Sequence, residues 1–154
     1  MSANTLPDPA KTMLLRGGSA TDDRGSLFFI NDFDTAKARR FYIVTNHASG
    51  FIRAWHAHRK EGKFVTVLRG AALIGAVRVA DMANPDPRAT VERYVLSERS
   101  PSMLYIPPGF ANGAMTLTPD AMIQYFSTST LEESKGDDIR FDARLWDPWR
   151  VEER

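Results

Sequence analysis

The chain contains no cysteine, which excludes disulfides, thiolate metal sites and cysteine nucleophiles together. It also lacks a charge excess. Lys and Arg number 20 against 19 Asp and Glu, a formal net charge of +1, so the concentrated basic patch of a nucleic-acid binder is not expected. No apolar run approaches the roughly 20 residues a membrane helix requires. The N-terminus has no basic segment followed by an apolar one, the mark of a secretory signal, and a cytoplasmic location is expected by default. Histidine is scarce, with three in the whole chain, so the adjacency of two of them, His56 and His58, draws attention.

What is present is ordinary globular material. With 154 residues, 43% hydrophobic and 25% charged, the chain is long enough for one domain with a buried core. Residues 1–12 are polar and proline-bearing and read as a lead-in, leaving 13–154 as the domain. From there, short β-branched and aromatic runs alternate with turn residues. The runs are Ser26–Asn31, Arg40–Asn46, Phe51–Ala57, Lys63–Arg69, Ala72–Val79, Val91–Leu96, Met103–Ile106, Ala114–Leu117 and Ala121–Ser127. Turns fall at Ala48-Ser49-Gly50, Arg69-Gly70, Asn84-Pro85-Asp86-Pro87 and Pro107-Pro108-Gly109, among others. This spacing predicts an all-β sandwich or barrel. A short helix is expected over Thr35–Arg39, a loop or helical turn over Glu132–Asp138, and a last strand near Ile139–Trp146.

Barrels of this size often enclose a small-ligand cavity at one mouth. Strand alternation puts Ile52, Ala54, His56 and His58 on one face and Lys63, Val65 and Val67 on another. Arg53 has the opposite parity from His56, so the two can serve one site only if the strand bulges or ends between them.

Three readings of His56-x-His58 stand side by side. The imidazoles are partly exposed or hydrogen-bonded strand residues. Or they grip a metal ion, as two imidazoles at i and i+2 can. Compared with metal-binding cupins, which carry a Glu four or five residues on and a His after a Pro-x-Gly turn, this sequence has Gly62 or Lys63 and Asn112, so Glu61 would have to substitute. Or one of them is a general base near neutral pH. The third reading needs a fixed cation for a developing enolate oxygen, which Lys63 would supply from the next strand. Tyr125 would return a proton; otherwise it is a core or rim aromatic.

The order of these pieces resembles the nucleotide-sugar 3,5-epimerases of the dTDP-4-dehydrorhamnose epimerase family, from about Asp22 to Trp146. Asp22-Asp23-Arg24-Gly25 is similar to the family's D-x-R-G-F, Arg53-Ala54-Trp55-His56 to its R-G-L-H, and Glu61-Gly62-Lys63-Phe64-Val65 to its Q-G-K-L-V. Ile106-Pro107-Pro108-Gly109-Phe110-Ala111-Asn112-Gly113 is similar to I-P-x-G-F-A-H-G, and Tyr125 follows Asn112 at the family's spacing for its proton donor. The resemblance implies a cupin-like jelly roll, a homodimer with exchanged strands, and a nucleoside-diphosphate 4-keto-6-deoxy sugar as substrate. It implies His56 as base, Lys63 at the enolate oxygen and Tyr125 as acid, with neither metal nor organic cofactor. Arg24 and Arg53 would meet the diphosphate; Asn46, Asn112 and His58 would line the substrate site.

Two departures stand out. Asn112 replaces the family's second active-site histidine. The family's orienting aspartate lies well beyond its W-P segment, whereas these residues end at Arg154, so another carboxylate, Asp142 for example, would have to orient His56. A second resemblance is to the TDP-4-keto-6-deoxyglucose 3,4-ketoisomerases. Arg53-x-x-His56-Ala57-His58, the aromatic Arg40-Phe41-Tyr42-Ile43 and Asp138-Ile139-Arg140 carry it. The Phe110-Ala111-Asn112-Gly113 segment after the Pro-Pro-Gly turn favours the epimerases. A sugar-binding barrel that has lost the chemistry is the non-enzymatic alternative.

Overall fold

The computed structural model describes residues 7–154; the first half of the expected lead-in lies outside the described residues, and residues 7–12 carry no strand. Twelve strands follow. One five-stranded antiparallel sheet has the order β1 (Met13–Arg16), β9 (Ser102–Ile106), β6 (Lys63–Arg69), β11 (Met122–Ser127), β4 (Arg40–Val44). The other has the order β12 (Ile139–Arg140), β5 (Ile52–Ala57), β10 (Phe110–Thr116), β7 (Ala71–Arg78), β8 (Val91–Ser97). A separate hairpin pairs β2 (Gly18–Asp22) with β3 (Gly25–Phe29). This is the expected all-β, cupin-like jelly-roll barrel.

The inward faces build the core. Val65 and Val67 of β6, Ile74 and Ala76 of β7, and Leu104 and Ile123 pack into one cluster between the sheets. The alternation expected on β6 holds: Lys63, Val65 and Val67 share the inner side and Phe64 packs in a different, outer cluster.

Strand β5 breaks that alternation. Its register against β10 shifts between Asn112 and Ala114, so Ala54 and Trp55 together oppose Gly113, and the peptide joining those two residues is cis. Ala54 and Trp55 both turn outward into a second cluster, while Arg53 and His56 both line one inner cavity. A two-against-one bulge reverses side-chain parity, and here it unites the two residues that strict alternation would separate. Ile52 and Ala54, expected on the histidine face, belong to the outer one.

The outward cluster is closed by the C-terminal segment. Trp146 meets Trp55 edge-on at 5.4 Å and Trp149 tilts against it at 5.0 Å. Each indole N–H is satisfied: Trp55 donates to Trp146 O, Trp146 to Asp86 O and Trp149 to Ala143 O. The rings need glycines beneath them. A Cβ on Gly75 would fall 2.7 Å from the Trp55 ring, and one on Gly113 would fall 2.5 Å from the Ala54 methyl.

Several boundaries differ from expectation. Strands β1 and β2 were not foreseen, because four residues and a polar Gly-Ser-Ala-Thr-Asp run give little periodic signal. The Thr35–Arg39 helix is a 3-10 turn over Thr35–Lys37. Glu132–Asp138 is largely helical: α1 (Leu131–Gly136) opens on a capping box between Thr130 and Glu133. Only Ile139–Arg140 of the expected last strand is a strand; Phe141 still exchanges two backbone hydrogen bonds with Trp55, and Trp146 and Trp149 beyond it pack as a strap. Trp149→Ala, which empties the centre of that strap, is expected to destabilise the protein by about 3–5 kcal/mol, measured by urea unfolding.

Candidate active site

A cavity of about 340 Å³ opens at one end of the barrel between the two sheets. His56 comes from β5 and His58 from just beyond it; Lys63 and Tyr125 come from β6 and β11 on the facing sheet. Arg53 and Asn112 complete the expected residues that line it.

Local structure fixes each of them. The Asn112 amide donates to His56 O at 2.9 Å, so it braces the strand that carries the histidine as well as lining the cavity. Arg53 Nε donates to Asn46 Oδ1 at 2.8 Å, and Asn46 in turn donates to Phe51 O and to Thr116 Oγ1. Asn46, expected to touch the ligand, therefore stands behind Arg53 and outside the cavity lining.

The carboxylate facing His56 is Asp138, not Asp142. Its Oδ1 lies 3.7 Å from His56 Nδ1 and 4.0 Å from His58 Nε2, whereas Asp142 caps a turn by accepting from Arg144 N. Asp138 is delivered by a clamp between two loops: the neighbouring Asp137 accepts from the backbone N–H groups of Arg59 and Lys60 at 3.0 and 2.7 Å. Arg140 Nε donates to Asp138 Oδ2 at 2.8 Å. In the sequence Asp138 is visible only as part of the Asp138-Ile139-Arg140 motif. Its signal was a pair of acids directly before the last apolar run, which ties it to the edge of β5 through the pairing of Arg140 with His56.

Arg24 is not brought to this cavity. It sits at the tip of the β2–β3 hairpin, 86% exposed, paired with Asp22. Residues that were not foreseen take part instead. Arg40, Lys135 and Arg140 line the cavity, and the Arg40 guanidinium lies 5.1 Å above the Tyr42 ring. Tyr42 stacks on Tyr125 with centroids 5.0 Å apart and 9° between planes. Among the described residues, no group of three or more His, Asp or Glu side chains is arranged to hold a metal ion.

Burial pushes the titratable groups in different directions. It lowers the His56 pKa, helped by the charges of Lys63 and Arg140 and opposed by Asp138. Burial raises the Tyr125 phenol far above its ordinary value, and the Tyr42 hydroxyl adds to this. Burial also pulls the Lys63 ammonium down, with Glu61 and Asp138 resisting and Arg40 adding to the fall. For Asp138, burial alone would raise the pKa, but Arg140 and the two histidines outweigh it and hold it low. At neutral pH the site thus presents a free imidazole and an intact phenol, an acceptor and a donor of protons.

The jelly-roll barrel and a family match over most of its length together mark an isomerase-class enzyme. The family model described as dTDP-4-dehydrorhamnose 3,5-epimerase matches residues 11–151, and the chain belongs to that family. No curated protein sequence matches it. Among solved structures it is similar to the Bacillus anthracis dTDP-4-dehydrorhamnose 3,5-epimerase, with 21% identity over 96% of this chain and 90% of that one, TM-score 0.75. It is similar to the Mycobacterium tuberculosis epimerase, with 18% identity over 97% and 78%, TM-score 0.73. It is also similar to a sugar 3,4-ketoisomerase from Thermoanaerobacterium thermosaccharolyticum, with 20% identity over 87% and 90%, TM-score 0.65. At these identities the structural likenesses establish the fold.

Asp138→Asn is expected to lower the His56 titration midpoint by about one pH unit, because the carboxylate favours the imidazolium. Imidazole C–H resonances in proton NMR report the change, and an unmoved midpoint would discard the pairing.

Proposed function

We propose that this chain epimerises a nucleoside-diphosphate 4-keto-6-deoxy sugar at C3, C5 or both, without metal or organic cofactor. One observation carries the reading: His56 stands on one sheet while Lys63 and Tyr125 stand on the other, across a single cavity. Inversion needs a base on one face of a sugar ring and an acid on the opposite face, and facing sheets supply that arrangement. The C4 ketone acidifies the protons on C3 and C5. With Nδ1 turned to Asp138, His56 has Nε2 left to take one of them. The Lys63 ammonium stabilises the enolate oxygen that forms, and the Tyr125 phenol returns a proton to the other face. Arg53, oriented by Asn46, meets the diphosphate.

The Bacillus anthracis relative is described with TDP and pyrophosphate bound, and the ketoisomerase relative with TDP, so a thymidine nucleotide is the first carrier to test. A cytoplasmic location belongs to the same reading.

A homodimer belongs to it as well. The β2–β3 hairpin pairs with neither large sheet and exposes Leu27 and Phe28, at 63% and 58%. An apolar groove of about 650 Å³, lined by Phe28, Leu68, Met103 and Phe126 among others, runs beside it. Exposed Phe41 and Ile43 sit on the edge strand β4 of the same sheet. A second copy with its own hairpin would cover this apolar surface and bring Arg24 to a neighbouring cavity. Sedimentation is expected to show a dimer at micromolar concentration, and a monomer would discard this part of the reading.

A second reading has its own support. His58 lines the same cavity as His56 and faces the same carboxylate, so a proton removed from C3 could be returned to C4 while the C3 hydroxyl proton passes to the C4 oxygen, which moves the carbonyl to C3 as in a 3,4-ketoisomerase. Incubation with TDP- and GDP-linked 4-keto-6-deoxy sugars in D₂O, followed by NMR, separates the cases. Deuterium at C3 or C5 with inversion is the expected result; a carbonyl moved to C3 selects the ketoisomerase. Nucleotide binding without exchange on any such sugar leaves the non-catalytic barrel. His56→Asn is expected to slow exchange by about 10²–10⁴-fold while nucleotide affinity stays near that of the parent protein. Undiminished exchange would remove His56 from the mechanism.

A further inference from the structure

Glu61 has a fully buried side chain, yet the proposed reaction gives it no part. It lies at the connection between β5 and β6, where the family motif has glutamine, so a carboxylate stands here in place of a neutral amide. Its Oε1 accepts from Ser127 Oγ at 2.8 Å and from Arg40 Nη2 at 3.4 Å. Its Oε2 lies 3.4 Å from His58 Nδ1. Both of those last atoms, together with Arg40 Nε, are buried without a hydrogen bond of their own.

We propose that Glu61 is a positioning residue of the pocket: a buried carboxylate that holds His58 with Nδ1–H turned inward and Nε2 presented to bound substrate, and that anchors Arg40 beside it. The inference rests on the functional reading above and gives His58 a defined role within it. A neutral imidazole carries one N–H, and the nitrogen facing a carboxylate is the one that keeps the proton. Glu61 therefore selects the tautomer. At 4.0 Å the other edge, Nε2, is too far from Asp138 for a direct hydrogen bond, so it remains open to a ligand hydroxyl in the cavity.

The second arm of Glu61 runs through Arg40. That guanidinium covers Tyr42, which stacks on Tyr125. One carboxylate thus braces the wall that carries the phenol and the imidazole beside it.

The charge matters beyond geometry. The groups facing His58 are Glu61 from the connection, Lys63 from β6, and Asp137 and Asp138 from the segment before β12. Burial and Lys63 pull its pKa down, while Glu61, Asp138 and Asp137 oppose them. Removing the Glu61 charge takes away the first of the opposing influences.

Glu61→Gln keeps the shape and an acceptor for Ser127, so a purely structural role would survive it. Long-range proton–nitrogen correlations of the imidazoles, with His58 assigned by its loss in His58→Asn, read the tautomer without any substrate. In the parent protein Nδ1 is expected to carry the proton. In Glu61→Gln that preference should be lost and the His58 midpoint should fall by about one pH unit or more. Glu61→Asp, which keeps the charge on a shorter arm, should stay closer to the parent protein. An unchanged tautomer and midpoint in Glu61→Gln would overturn the proposal. If that variant does not fold, a Glu61→Asp midpoint displaced by the full unit would overturn it instead. Failure of the sugar-exchange experiment bears on the reaction alone, because this titration needs no sugar.

Discussion

The site depends on one irregularity, the bulge at Ala54 and Trp55 opposite Gly113. Without it, Arg53 and His56 would point to opposite sides of the second sheet. The bulge is held from outside the barrel. Trp55 is fully buried against Trp146 and Trp149, and a buried aromatic of this size removes about 150–250 Å² from water. The position of the proposed base is therefore secured by hydrophobic packing on the far side of the strand that carries it. The glycines at 75 and 113 belong to the same device, since any side chain there would collide with the strand or the indoles.

Inside the barrel a single cause, burial, prepares several groups for different tasks. Desolvation disfavours whichever form is charged, so it leaves His56 neutral and Tyr125 protonated. It also pulls the Lys63 pKa down, and the carboxylates of Glu61 and Asp138 resist this. Cations and carboxylates alternate around the cavity: Arg40 with Glu61, Arg140 with Asp138. Neither a buried pair such as Arg40–Glu61 nor a largely exposed one such as Arg140–Asp138 contributes much net stability; their value here is in holding protonation states apart.

Much of this was legible in the residues. The alternation of β6 put Lys63 on the same face as Val65 and Val67, the parity conflict at Arg53 meant that the strand bulges or ends if Arg53 and His56 serve one site, and the ordered motifs from Asp22 to Tyr125 pointed to the family. Asp138 was not foreseen as the partner of His56, because the two are far apart in sequence and meet only through the pairing of β12 with β5. Arg40 read as part of an aromatic strand, and its contact with Glu61 arises only once β4 lies beside β11. Asn46 read as a ligand contact because a motif carries no distances; folded, it orients Arg53.

By itself the sequence determined the local choices: which runs form strands, which residues close the turns, and which face of each strand is apolar. These follow from side-chain periodicity and backbone preference, which act over a few residues. Tertiary structure alone decided which charges meet. Asp138 faces two histidines, Glu61 lies under the pocket wall, and Arg24 stands outside its own chain's cavity. Those outcomes depend on strand order and on which surfaces are buried, and an electrostatic interaction gains its strength only where folding removes the water between its partners.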